Sequence, residues 1–182
     1  MEKTLLRLST PNTKKTVIQL VKDYDVQKLA EIGVYSGGLL NVVIKNARHQ
    51  IREYWAVDAW KVVTQGRLRT LSQKSWERLY RGVCSLMISH PQLRILRMSS
   101  HEAARIFPDK YLDMVYIDAN HSYECVLQDI KEWRPKVRSG GIISGHDYHT
   151  EFPGVRQSVH ELVGQENLIH IPLKCNVWAT IK

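Results

Sequence analysis

The chain has 182 residues, and its 26 lysines and arginines outnumber the 18 aspartates and glutamates, which gives a formal net charge of +8. Hydrophobic residues make up 43% and charged residues 24%, a balance typical of a globular domain and not of a disordered or fibrous chain. No apolar run approaches the ~18 residues of a membrane span and no secretory signal is visible, so we expect one cytoplasmic domain over residues 1–182.

The charge and the cysteines bear on partners and redox state. A surplus of positive charge admits a nucleic acid or another acidic partner, but scattered basic residues also make an ordinary solvated surface. Cys84, Cys125 and Cys175 are far apart and lack metal-ligand spacing, so we expect reduced thiols. Whether the chain forms a homo-oligomer stays open.

Strands and helices alternate along the chain, a pattern typical of a parallel α/β sheet covered by helices on both faces. The predicted helices lie at residues 12–24, 37–49, within 59–91, at 101–106, at 123–133 and at 155–163. The predicted strands lie at residues 28–33, 53–58, 93–98, 112–118, 142–144, 168–172 and 176–181. A turn at 139–141 is expected before the fifth strand, and the last two strands should form an antiparallel hairpin at the sheet edge.

A glycine-containing turn follows the first predicted strand. Glu31, Gly33 and Gly37 form the pattern E-x-G-x-x-x-G, in which glycine allows positive φ and a close approach of the backbone to a ligand. The Lys-Ser/Thr ending of a phosphate-binding P-loop is missing. The turn therefore favours a cofactor without phosphates, and a plain strand-to-helix turn remains the alternative.

Asp58 ends the second predicted strand, 27 residues after Glu31. A carboxylate at that point of an α/β sheet can accept hydrogen bonds from both hydroxyls of a ribose. An Asp after a strand is also a common helix N-cap, but the spacing from the glycine turn favours the ligand-binding role.

Two further carboxylates end the fourth and fifth predicted strands, which the fold places side by side. Asp118 and Asp147 would repel each other unless they shared a divalent cation, and two separate helix N-caps are the alternative. His146 precedes Asp147 and is a further candidate metal ligand. His121 lies three residues after Asp118 and is a candidate general base, with an exposed surface histidine as the alternative.

Together these motifs resemble the class I S-adenosylmethionine-dependent methyltransferases, in particular the branch with small-molecule and sugar O-methyltransferases. The resemblance is carried by E-I-G-V-Y-S-G (31–37), Y-W-A-V-D-A-W-K (54–61), V-Y-I-D-A-N-H-S-Y (115–123) and G-G-I-I-S-G-H-D-Y (140–148). It implies a Rossmann-like, seven-stranded sheet in the order 3-2-1-4-5-7-6 with the last strand antiparallel.

The resemblance also implies a role for each matching residue. Glu31, Gly33 and Gly37 would line the methionine and ribose parts of the cofactor, Asp58 would hold the ribose, and Ser100, with His101 beside it, would lie near the adenine. Asp118 would serve cofactor binding and catalysis. Asp118, His146 and Asp147 would hold Mg²⁺ or another divalent metal, and His121 would be the base.

The expected activity is O-methylation of a hydroxyl on a small molecule or sugar. Two alternatives remain open: an RNA methyltransferase, suggested by the net charge, and a partner subunit that binds the cofactor without catalysis. The sequence does not name the acceptor.

Overall fold

The computed structural model describes residues 12–63, 67–170 and 176–182, and contains seven strands in one sheet. They are β1 (Lys28–Ile32), β2 (Glu53–Asp58), β3 (Leu93–Arg97), β4 (Leu112–Ile117), β5 (Val137–Gly145), β6 (Leu168–His170) and β7 (Trp178–Ile181). Their order is β3-β2-β1-β4-β5-β7-β6, with β7 antiparallel to both of its neighbours and the other pairs parallel. The predicted fold class, strand order and terminal hairpin are confirmed. The predicted strand residues 171 and 172 lie outside the described residues.

The described residues contain six α-helices, one before β1 and five between successive strands. They are α1 (Thr13–Asp23), α2 (Gly38–Ala47), α3 (Gln73–Ser85), α4 (Ser100–Ala104), α5 (Tyr123–Trp133) and α6 (Pro153–Leu162). Side-chain caps start several of them: Asn12 accepts from the Lys14 and Lys15 amides, and Ser99 forms a capping box with Glu102. Among the described residues, no helix is long and apolar enough to cross a membrane.

The core lies on both faces of the sheet because successive strand side chains point to opposite faces. Met114 and Tyr116 of β4 pack in the hydrophobic cluster that this face of the sheet forms with α1, α2 and α3. Val115 and Ile117 pack on the other face, against α4, α5 and α6. The continuous apolar run of β4 therefore reflects a strand that is buried on both sides.

The region of residues 139–141 differs from the prediction. The expected turn is part of β5, and the register with β4 shifts between the pairs Leu112–Val137 and Met114–Ile142. Gly140 has φ +74°, and a Cβ on Gly141 would lie 2.6 Å from the Asp113 carbonyl oxygen. The two glycines thus form a bulge within one strand, because pairing with β4 resumes after them.

The thiols agree in part with the expectation. Cys84 and Cys125 are free and partly buried, whereas Cys175 lies outside the described residues.

The ends of β1 and β4 touch at Gly33. This residue has φ +90°, and a Cβ placed on it would lie 2.2 Å from the Asp118 carbonyl oxygen and 2.7 Å from the Ala119 Cα. The Gly33 amide donates to the Val57 carbonyl at 2.9 Å, and the Asp118 amide donates to the Ile32 carbonyl at 2.7 Å. Hydrogen bonds on both sides thus hold the backbone where a side chain has no room.

We expect Gly33→Ala to lower the free energy of unfolding by roughly 2–4 kcal/mol, because the new methyl group overlaps backbone atoms and the φ value disfavours an L-residue. Gly82→Ala is the matched control: Gly82 lies inside α3, and a Cβ there meets nothing within 4 Å. The control should gain about 0.5–1 kcal/mol. Urea unfolding measures both, and equal stabilities of Gly33→Ala and wild type would contradict the close approach.

Candidate active site

Polar residues gather at the carboxyl ends of β1, β2, β4 and β5. The loops after β1 and β4 leave for opposite faces of the sheet, and ligands of open α/β sheets bind in the crevice that such loops leave. The structure brings Glu31, Gly33, Asp58 and Asp118 to this crevice, with Asp147 at the adjacent strand end.

Asp58 fixes the glycine-containing turn. Its Oδ2 accepts the amides of Val34 at 3.0 Å and Tyr35 at 2.8 Å. Its Oδ1 accepts the amide of Trp60 at 2.8 Å. Asp58 is thus not a helix N-cap, and the side chain predicted to hold a ribose also holds the two loops around it.

Glu31 is a buried carboxyl group among other acids. Its Oε2 accepts the Tyr54 hydroxyl at 2.7 Å, and the side chain is 3% exposed. Burial, with smaller contributions from the charges of Asp118 and Asp58, raises the Glu31 pKa to about 8, although the Tyr54 hydrogen bond opposes this. Glu31 therefore keeps its proton at neutral pH, which reduces the repulsion in the crevice.

His121 lies between the two strand-end aspartates. Its Nε2 is 3.3 Å from Asp118 Oδ1 and 3.3 Å from Asp147 Oδ2. The imidazole packs edge-on against Phe152, with ring centroids 5.0 Å apart. Its side chain is 27% exposed, so a reacting group can reach a ring that its neighbours hold in place.

His146 lies beside this group. Its Nδ1 is 3.0 Å from Asp147 Oδ1 and 3.9 Å from Asp118 Oδ1, and its Nε2 is 3.0 Å from the Thr13 hydroxyl of α1. The ring thus links the start of α1 to the end of β5.

The donor set of this cluster suits a divalent cation. Asp118, His121 and Asp147 each offer one ligand atom, and these atoms lie within 4.8 Å of one another. Two carboxylates suit Mg²⁺ or Mn²⁺, and an added imidazole suits the later transition metals. The set contains His121 in the place that the sequence analysis gave to His146. The metal ligands remain a prediction.

The Ser100 hydroxyl faces α5. It accepts the Trp133 indole N–H at 2.8 Å and donates to Asp129, whose pKa burial raises to about 6. His101 of α4 contacts Glu132, which lies on α5 like Asp129. The adenine contact of Ser100 remains a prediction, and its side chain already has partners within the protein.

Aromatic residues that the sequence analysis did not single out surround the glycine-containing turn. Tyr35 is 40% exposed and stands edge-on to Trp76, with ring centroids 5.9 Å apart. The Trp60 indole donates to the Tyr35 carbonyl at 2.8 Å. Tyr54 lies diagonally across from Glu31 on the neighbouring strand, so the β1–β2 register was the signal that could have identified it.

The sequence matches the model of a family described as "Methyltransferase domain" over residues 30–148, more than half of the chain. A curated relative, uncharacterized protein R132 of Acanthamoeba polyphaga mimivirus, is 25% identical over 140 residues. The match includes 73% of this chain and spans only 58% of that relative's length.

Two solved structures share the fold. The O-methyltransferase NovP has a TM-score of 0.66 at 19% identity, over 93% of this chain and 77% of NovP. CalS11, a TDP-rhamnose 3'-O-methyltransferase of calicheamicin biosynthesis, has a TM-score of 0.68 at 14% identity, over 92% of this chain and 76% of CalS11. At these identities the likeness establishes the fold alone.

The raised pKa of Glu31 predicts a pH-dependent stability. The folded chain keeps a proton that the unfolded chain loses above its ordinary pKa near 4.5. The free energy of unfolding of wild type, relative to Glu31→Gln, should therefore fall by about 1.4 kcal/mol per pH unit as the pH rises from about 5 towards 8.

Urea unfolding of both proteins across this range measures the difference, in which the other titrating groups cancel. Parallel pH profiles would show that Glu31 titrates normally in the folded chain.

Proposed function

Since the chain belongs to the methyltransferase domain family, we propose that it transfers the methyl group of S-adenosylmethionine to a hydroxyl of a small molecule or sugar. The observation that carries the proposal is His121, held between Asp118 and Asp147 at the crevice where a cofactor is expected. The O-methyltransferases NovP and CalS11, which share the fold, support the same class of acceptor.

The chain's own groups suit this cofactor. Glu31, Gly33 and Gly37 would border its methionine and ribose parts, Asp58 would bind the ribose, and Ser100 would lie towards the adenine. The crevice carries carboxyl groups and no phosphate-binding lysine motif, which suits a ligand with a positive sulfonium and no phosphates. A sulfonium is already a strong electrophile, so the protein's task is alignment and proton removal.

Proton removal is the role of His121. Its imidazole accepts the proton of the acceptor hydroxyl, and the resulting imidazolium is stabilised by the carboxylates of Asp118 and Asp147, which lie 3.3 Å from Nε2. Phe152 holds the ring in this orientation. Bound to Asp118 and Asp147, with His121 or His146 as a further donor, a divalent cation would supply Lewis-acid chemistry that acidifies a hydroxyl.

An RNA acceptor is the second candidate, and one basic surface favours it. Lys61, Arg69, Lys74 and Arg78 are exposed around the start of α3, and within the described part of the chain none has a carboxylate within 4.0 Å. Phosphates would bind such cations, with an affinity that falls steeply as salt rises. Tyr35 is the one described aromatic residue with at least 40% of its surface exposed, which does not suit a stacking platform for bases.

A subunit that binds the cofactor without catalysis remains the third alternative, and a homo-oligomer remains a prediction.

The test is transfer of a labelled methyl group to a panel of sugars, phenols and tRNA, by wild type and by His121→Ala. We expect transfer to a sugar or a phenol, and a kcat for His121→Ala that is lower by about 10²- to 10⁴-fold. Affinity for S-adenosylhomocysteine should stay within about twofold, because His121 acts on the acceptor.

His49→Ala is the matched control, because His49 is an exposed histidine on the loop after α2. Transfer to tRNA alone would favour the second candidate. Cofactor binding without transfer to any acceptor would favour the third, and a His121→Ala variant with more than about half of the wild-type kcat would remove the base assignment.

A separate prediction concerns the metal. Treatment with EDTA should lower activity, and Mg²⁺ or Mn²⁺ should restore it, because Asp118 and Asp147 together provide the carboxylates that such ions prefer. Asp147→Asn should weaken the activating effect of the metal. Full activity after exhaustive chelation would contradict the metal prediction. The two carboxylates would then act in the reaction only through the His121 imidazole.

A further inference from the structure

A series of side-chain contacts joins the start of α1 to the imidazole of His121. Thr13 Oγ1 is 3.0 Å from His146 Nε2, and His146 Nδ1 is 3.0 Å from Asp147 Oδ1. The other carboxylate oxygen of Asp147 is 3.3 Å from His121 Nε2. Side chains from three separate segments of the sequence thus form one contact series that ends at the candidate base.

The Asp147 carboxylate lies between the two imidazoles. Its side chain is 9% exposed, and its backbone has φ +54°, an uncommon conformation for a residue other than glycine. Because Oδ1 faces one ring and Oδ2 faces the other, rotation of the carboxylate would disturb both contacts. The His146 ring therefore sets the direction in which Asp147 presents Oδ2 to His121.

The His146 ring is in turn held from α1. A threonine hydroxyl can both donate and accept, so the hydrogen bond at Nε2 persists whether or not that nitrogen carries a proton. The helix has a fixed place of its own: Asn12 caps its first turn, and the fully buried Val17 and Leu20 pack in the hydrophobic cluster that α1 shares with α2. The hydroxyl thus connects the ring to a backbone that cannot shift freely.

We propose that Thr13 is a positioning residue that acts on the candidate base His121 through two intervening side chains, an inference that rests on the proposed function. In this role Thr13 need not touch a reacting group. It keeps the His146 ring in place, and the ring keeps the carboxylate directed at the imidazole that receives the proton. A base whose partner is misdirected removes a proton more slowly, although the cofactor binds as before.

The first measurement observes the imidazoles in the protein without any ligand. Proton–nitrogen correlation spectra should show changed resonances for both His146 and His121 in Thr13→Val, because valine has nearly the shape of threonine and lacks the hydroxyl. Thr13→Ser, which keeps the hydroxyl, should restore the wild-type resonances. Thr70→Val is the matched control, because Thr70 is an exposed threonine on the segment before α3, and its spectrum should match that of wild type.

The second measurement is methyl transfer by the same variants. Thr13→Val should lower kcat by about tenfold, while the KM for the acceptor and the affinity for S-adenosylhomocysteine stay within about twofold. Thr13→Ser should retain most of the wild-type kcat, and Thr70→Val should retain all of it.

Three results would overturn the positioning role while the proposed function stood: an unchanged kcat in Thr13→Val, a loss that Thr13→Ser does not rescue, or His121 resonances that do not move in Thr13→Val. A wild-type chain that transfers no methyl group to any acceptor would overturn the proposed function and the catalytic role of Thr13 together. The spectra would even then show whether the contact series itself joins α1 to His121.

Discussion

Where β1 and β4 end, the two backbones run so close together that Gly33 faces the carbonyl of Asp118 with no room for a side chain between them. From this contact the chain departs in two directions, to α2 on one face of the sheet and to α5 on the other. The crevice between the departing loops is the space that a ligand can occupy. A shift of either strand end would move the glycine-containing turn and Asp118 relative to each other, so the proposed alignment of cofactor and acceptor would depend on this contact.

The crevice concentrates carboxyl groups, and the fold relieves their repulsion in a different way for each. Asp58 accepts backbone amides from both sides, which disperses its charge without a basic side chain. Glu31 retains a proton in its buried position beside Tyr54. Asp118 and Asp147 share an imidazole. Because none of the three solutions uses a lysine or an arginine, the crevice keeps a field that favours a cationic ligand.

The sequence predicted the sheet well, because apolar runs such as that of β4 and polar residues at strand ends follow from burial and topology. It predicted less where the outcome depends on register or backbone conformation. Residues 139–141 were expected to form a turn before the fifth strand, but Gly140 and Gly141 form a bulge within β5 because pairing with β4 continues on both sides of them. His146 was predicted to share a metal with Asp118 and Asp147, and that stays a prediction, whereas the position of His121 among the same candidate ligand atoms was not predicted. Asp147 has φ +54°, and the adjacent His146 ring reaches Thr13 of α1. Neither the strand register that joins Tyr54 to Glu31 nor the position of α1 that brings Thr13 to His146 follows from a local pattern.

The three amides that Asp58 accepts limit what else this side chain can bind. A carboxylate has about four lone-pair positions, and Val34, Tyr35 and Trp60 already use three of them. A ribose diol that binds at Asp58 therefore finds room for one hydrogen bond from one hydroxyl, and its second hydroxyl must turn to another acceptor or to water. If a ribose binds at Asp58 as proposed, its recognition there would be asymmetric, because removal of one ribose oxygen would cost affinity at Asp58 and removal of the other would not.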